Sequence, residues 1–299
     1  MAYAHIPVML TEVLAYLDPQ PGESFIDCTL GGAGYTLALA RAVGERGRIL
    51  SLDLDALAID SARQLIRDSN LNNVSLVQEN FKNLATVVKQ YFPKSDKFDG
   101  IVFDLGLSSA QLEDTERGFS FQGERPLDMS FGPLNENSTR EIVNHYSLPD
   151  LTRIFREYGE EKRAYQIAKG IIAARREHAI TSTLDLVKIV ERIVPPRVHS
   201  RIHPATRIFQ ALRIATNDEL GALQEVLPAT LKILSPGGRL VVVSFHSGED
   251  RIVKRFFRSS EVLDILTKRP LTPSESELEN NPRSRSAKLR AAARQLNNF

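Results

Sequence analysis

A chain of 299 residues, 42% of them hydrophobic, has apolar material for one large domain or two ordinary ones. It contains no apolar run long enough to span a bilayer, and Met1-Ala2-Tyr3-Ala4-His5 lacks the basic and apolar regions of a signal peptide, so a cytoplasmic protein with no membrane partner is expected. A formal charge of +1 leaves no global electrostatic case for nucleic acid, and the single cysteine, Cys28, excludes an intramolecular disulfide and argues against a cysteine-built metal site.

In chain order, residues 24–29 read as a first strand and 35–43 as the helix after it. Residues 48–53 read as a second strand followed by a helix over 56–67, residues 74–78 as a third strand followed by a helix over 83–91, and residues 98–103 as a fourth strand ending at Asp104. Strands alternating with helices at this spacing predict βαβ units, parallel pairing and right-handed crossovers. The next strong strand, 239–245, follows a turn at Pro236-Gly237-Gly238 and lies far down the chain. Between them the patterns are helical, over 148–158, 160–176, 182–193 and 204–216, which predicts a helical domain inserted after the fourth strand. A helix from Asn217-Asp218-Glu219 to residue 234, another over 248–259 and a final edge strand over 287–294 complete the chain, with 271–285 read as a loop. The expected domains are 1–110 with 216–299, and the insert 111–215.

Ligands of a doubly wound α/β sheet lie outside the carboxyl ends of its parallel strands. Three such ends carry distinctive residues here: the turn Thr29-Leu30-Gly31-Gly32-Ala33-Gly34-Tyr35, Asp53 after the second strand and Asp104 after the fourth. Glycine lets backbone approach a ligand, and an acid ending the next strand can accept from both ribose hydroxyls. The outline fits NAD and S-adenosylmethionine alike, although Leu37 stands where a dinucleotide fingerprint would place its third glycine. Tight-turn geometry is the alternative for Gly31 and Gly32, and helix capping for Asp53. Asp104-Leu105-Gly106-Leu107-Ser108-Ser109 is more telling. A carboxylate and a backbone carbonyl, those of Asp104 and Leu105, could bind the hydrogens of an exocyclic amine and orient its nitrogen for in-line attack; capping a turn is the alternative for Asp104. Phe119, Phe121 and Phe245 could stack on an extruded base or serve the core, and Arg207 could bind phosphate. His203 and His246 have no partner acid at metal spacing, so no metal is expected. Basic residues cluster locally at Arg283, Arg285, Lys288, Arg290 and Arg294, and again at Arg197, His199, Arg201, His203 and Arg207.

Taken together, His5 to Leu10, the Gly31 to Tyr35 turn, Asp104 to Ser109 with Gln111-Leu112, Arg117 to Phe121, Pro126-Leu127-Asp128-Met129, Tyr158-Gly159-Glu160-Glu161, His203 to Arg207, Ser244 to Arg251 and Asn281 to Ser286 resemble, in one order over nearly the whole chain, the bacterial 16S rRNA cytosine-N4 methyltransferases of the MraW type. The resemblance implies a class I, Rossmann-like, S-adenosylmethionine-dependent methyltransferase fold with an inserted helical domain that recognises RNA. It implies S-adenosyl-L-methionine as donor, and a cytidine in the decoding region of 16S rRNA within the small ribosomal subunit as acceptor; a homodimer is compatible with it. Carried over by position, cofactor contacts fall on Ala33, Gly34, Tyr35, Asp53, Phe81, Asp104 and Gln111. Asp104 and His246 are the candidate catalytic residues, with Phe245 or His246 stacking on the base. Relatives usually carry Gly-Gly-His-Ser where this chain has Ala33-Gly34-Tyr35-Thr36, and Leu where it has Gly248. The competing functions are a non-catalytic RNA-binding assembly factor and an NAD-dependent oxidoreductase.

Overall fold

Seven strands form one sheet in the order β3-β2-β1-β4-β5-β7-β6. In the computed structural model, which describes residues 7–93, 96–108, 111–112, 114, 116–121, 123–132, 138–196 and 203–296, the chain divides into two units, Met1–Ser109 with Leu220–Phe299, and Ala110–Glu219. The first unit opens with α1 (Leu10–Leu17), then alternates β1 (Ser24–Asp27), α2 (Gly34–Val43), β2 (Arg48–Asp53), α3 (Ala56–Asp68), β3 (Val74–Gln78), α4 (Leu84–Tyr91) and β4 (Phe98–Asp104). The first five strands in the order, β3 to β5, pair in parallel.

Their apolar runs are continuous because both faces of the sheet are covered. Ile26, Leu50, Ile101 and Leu240 face one core, to which α4 adds Leu84 and Val88, while Phe25, Ile49, Val102 and Val241 face the other, with Val13 of α1 and Leu39 of α2. Cys28 is buried in the first of these cores, and burial pushes its thiol pKa up. From β1 the chain winds outward through β2 and β3, then returns to β4 on the other side of β1. The carboxyl ends of β1 and β4 therefore flank the point where the strand order reverses, and the crevice opens there.

After the second unit, α10 (Glu219–Ile233) leads into β5 (Leu234–Ser244). The turn expected at Pro236-Gly237-Gly238 is a bulge within that strand: Phe98 pairs with Leu234 but Gly100 pairs with Arg239, and the extra residues are accommodated with Gly237 at φ +83°. There follow α11 (Ser247–Ser259), β6 (Leu263–Ile265), α12 (Glu275–Asn280) and β7 (Lys288–Arg294).

Two expectations fail here. β7 is not an edge strand: it pairs antiparallel with both β5 and β6, and β6 takes the edge. The segment 271–285 is not a loop throughout, because Ser274 caps α12 and Pro282 starts a short 3-10 turn. Both misses involve elements too short to show periodicity.

The second unit carries α5 (Thr139–His145), α6 (Leu148–Glu157), α7 (Ala164–Glu177), α8 (Thr183–Ile193) and α9 (Pro204–Asn217). Ser138, Ser147, Ser182 and His203 cap α5, α6, α8 and α9 in turn, each side chain accepting from a first-turn backbone N–H. α7 begins four residues later than expected. Tyr158-Gly159-Glu160-Glu161 is a tight turn in which Glu160 adopts φ +48° and a Cβ on Gly159 would come within 2.6 Å of the Arg207 carbonyl. The Pro126-Leu127-Asp128-Met129 segment is pinned to α9 by Asn217, whose side chain donates to the Met129 carbonyl and accepts from the Phe131 N–H, each at 2.8 Å.

Candidate active site

Three carboxylates mark the carboxyl ends of β1, β2 and β4. Asp53 ends β2 and accepts from the Gly31 N–H at 2.8 Å and the Asp55 N–H at 2.9 Å, so it clamps the glycine turn and leaves lone pairs on both oxygens for a ligand's hydroxyls. It does not cap α3, since Asp55 does. Asp104 ends β4, and its backbone N–H donates to Thr29 Oγ1 at 2.6 Å. Its Oδ1 is buried with no hydrogen-bond partner among the described residues. Buried acceptors are nearly always paired, so this oxygen is built for a donor that arrives with a ligand. Burial, reinforced by the charges of Asp27, Glu249 and Glu277, raises the proton affinity of Asp104 well above that of an ordinary carboxylate.

The third carboxylate, Asp27, was not singled out from sequence, although it is an acid at a strand end like the other two. It is fully buried, accepts from Thr36 Oγ1 at 2.7 Å and from the Thr29 N–H at 3.1 Å, and burial pushes its pKa up to about 6 against those hydrogen bonds. Thr36 Oγ1 in turn lies 2.7 Å from Ser51 Oγ on β2. Glu249 and Glu277 were also missed. Glu277 lies in α12, some 170 residues beyond Asp104, and no local signal in the sequence ties the two together.

The glycine turn has two different reasons for its composition. Gly31 takes φ +46° and Ala33, buried, takes φ +62° as the residue before α2, so the turn is left-handed at two points. Gly34, expected to admit a ligand, is crowded by the chain itself: a Cβ there would lie 2.0 Å from Pro7 Cγ. Tyr35 is buried, and its hydroxyl donates to the Val8 carbonyl, while Glu277 accepts from the Met9 N–H at 2.7 Å. The segment preceding α1 is thus strapped across the start of α2.

Phe81 follows β3 and meets Phe103 edge-to-face at 5.6 Å, half-buried. Phe245 is half-buried, and a Cβ on Gly106 would contact its ring at 3.4 Å. His246 caps α11, its Nδ1 accepting from the Gly248 N–H at 3.2 Å, and its Nε2 lies 3.1 Å from Glu249 Oε1 without hydrogen-bond alignment. Asp104 pairs in register with Val243, three residues before His246, so the two candidate catalytic residues sit on neighbouring strand ends.

Gln111 belongs to the second unit, where it is buried in a short helical turn. Phe119 stacks on Phe131 at 5.7 Å and Phe121 on His203 at 5.1 Å, so both aromatics are occupied within that unit. His203 Nε2 contacts Glu191 at 3.1 Å, and Arg207 lies 4.0 Å from Glu161 with its side chain half exposed. Arg290 stands apart from the basic C-terminal cluster: it is buried and forms a two-pronged pair with Asp250, with Nε–Oδ1 at 2.6 Å. His5, Ile6, Ser109, Arg197, His199 and Arg201 lie outside the described residues.

The crevice thus presents spare acceptor capacity on Asp53 and Asp104 beside the buried Asp27. A parallel sheet reversing at β1 and β4, a glycine turn followed by strand-end acids, and an antiparallel β7 between β5 and β6 together define a Rossmann-like methyltransferase. The chain belongs to the MraW methylase family, which it matches over residues 2–295. It is similar to the ribosomal RNA small subunit methyltransferase H of Heliobacterium mobile, at 44% identity over 98% of this chain and 99% of that one. It is also similar to the protein of the same name from Deinococcus deserti, at 47% identity over 97% of this chain and 93% of that one.

Proposed function

We propose that this chain methylates the exocyclic N4 amine of a cytidine in the decoding region of 16S rRNA, on an assembled or nearly assembled small subunit. The observation that carries the reading is the buried, unpartnered Asp104 Oδ1 beside the point where the strand order reverses. S-adenosylmethionine supplies the methyl group as an electrophile, and its hydroxyls, ammonium and sulfonium match what the crevice lacks. Ala33, Gly34 and Tyr35 would wall its methionine side, Asp53 hold the ribose, Phe81 lie beside the adenine, and Asp104 complete the contacts within the sheet-bearing unit.

The amine nitrogen of cytosine is a poor nucleophile because its lone pair is delocalised into the ring. Asp104 accepts one of its hydrogens and the Leu105 carbonyl the other, which favours pyramidal nitrogen and aims the lone pair. The bound donor would supply its methyl group to that lone pair, its sulfur leaving with the bonding electrons, and the nitrogen would shed one proton. Asp104, already accepting from one of the amine hydrogens, stands where that proton leaves. His246 or Phe245 supplies a face for the base, and the helical second unit grips the RNA.

The test is incubation with radiolabelled S-adenosylmethionine and small subunits from a strain lacking this modification, followed by digestion and identification of the labelled nucleoside. Label in N4-methylcytidine supports the reading. Cofactor retention without transfer would replace it with a non-catalytic assembly factor.

A further inference from the structure

Helix α11 sorts its charges by sign. Its two acids face inward: Glu249 accepts from the Phe245 and His246 N–H groups at 2.8 and 3.2 Å, and Asp250 binds Arg290 and lies 3.9 Å from Lys288 on β7. Its four cations, Arg251, Lys254, Arg255 and Arg258, are all exposed, while Val253 and Phe257 between them are buried. The outward face carries no acid at all. Lys254, Arg255 and Arg258 make no ion pair among the described residues.

A face kept only for solubility mixes both signs and gains from pairs four residues apart. Here the pair Lys254 with Arg258 is like-charged, which costs a few tenths of a kcal/mol. The arrangement is unfavourable for the isolated chain and favourable against a polyanion. The helix also starts at the candidate site, since its cap, His246, stands three residues beyond the register partner of Asp104. From Ser247 to Arg258 it rises about 16 Å, enough to follow a run of backbone phosphates.

We propose that the outward face of α11 holds the sugar-phosphate backbone of the single-stranded RNA flanking the target base. The proposal rests on the RNA substrate argued above. It places a grip within the sheet-bearing unit, separate from the helical unit and from the C-terminal arginines. Phosphate contacts of this kind set register and affinity without reading sequence.

The test is the triple variant Lys254→Glu/Arg255→Glu/Arg258→Glu, with Lys254→Ala/Arg255→Ala/Arg258→Ala beside it. Calorimetry should show unchanged S-adenosylmethionine affinity in both. The charge reversal should raise KM for small subunits at least about tenfold with little change in kcat. It should flatten the log–log salt dependence of RNA binding by about 2, given a slope of about 0.7 per single-stranded phosphate contact. The alanine variant should shift both in the same direction by less. Wild-type KM and salt slope in a triple variant that still binds the cofactor would overturn the proposal, as would a joint loss of cofactor affinity and kcat. If the unaltered chain neither binds nor methylates small subunits, it is the RNA reading itself that fails, and this grip falls with it.

Discussion

Asp27 shows how one residue couples the site to stability. Its pKa in the folded chain is pushed up to about 6 by burial, against an ordinary value of 3.8. A carboxyl raised in the folded state contributes stability that is present below its unfolded pKa and lost as pH rises through its folded one. Without cofactor, the contribution of Asp27 should therefore fall by about 2 kcal/mol between pH 4.5 and 7. Urea unfolding of the wild type and Asp27→Asn at both pH values measures it: the gap between them should shift by that amount in favour of the variant at the higher pH. A pH-independent gap would mean that Asp27 is ionised at no cost. Tyr35 acts at the same scale. Its buried phenol reaches the Val8 carbonyl, so Tyr35→Phe should cost about 1–2 kcal/mol and expose residues 7–9 to limited proteolysis. An unchanged proteolytic pattern would show that Pro7 against Gly34 and the Met9–Glu277 hydrogen bond hold the strap without the phenol.

Among the elements, α11 is the one whose start carries two duties, because His246 is both its cap and a candidate catalytic group. Asparagine caps helices at least as well as histidine, so His246→Asn should hold stability within about 0.5 kcal/mol, whereas His246→Ala should lose about 1 kcal/mol. If the imidazole serves the reaction, both variants should lose at least about tenfold in kcat on small subunits. Full activity in His246→Asn would reduce the residue to a cap. The element scale also shows what a sequence can reveal. The alternating strands and helices from β1 to β4 were legible because buried parallel strands are apolar throughout and their helices repeat every three to four residues. Asp53 and Asp104 were legible because an acid closing such a run stands out. α1, α5, β6 and α12 were not, being short elements that stand outside that strand–helix alternation. Glu277 was invisible for another reason: it reaches the N-terminal strap by tertiary folding alone. Arg290 misled because charge density along a chain does not say which side of a strand a cation faces.

Over the whole molecule, the sheet-bearing unit is closed by its C-terminal strand, and that determines how the basic C-terminus should behave. β7 pairs with β5 from Arg239–Ala293 to Ser244–Lys288, and Arg290 in its middle is buried against Asp250 of α11. Removing Arg290 leaves Asp250 with only the longer contact to Lys288, so Arg290→Ala should destabilise the unit by about 3 kcal/mol and lower cofactor affinity by unfolding. Arg283 and Arg285 lie before β7 and are exposed. Arg283→Ala/Arg285→Ala should leave the melting temperature within about 2 °C of wild type, a stability change of less than about 0.5 kcal/mol. If these arginines touch RNA, the same variant should flatten the salt dependence of RNA binding by about 0.7 per lost single-stranded contact while sparing S-adenosylmethionine affinity. Parallel melting curves and salt titrations separate the two behaviours. Wild-type stability in Arg290→Ala would contradict its place in the core, and an unchanged salt slope in the double variant would leave α11 as the sole basic grip of this unit.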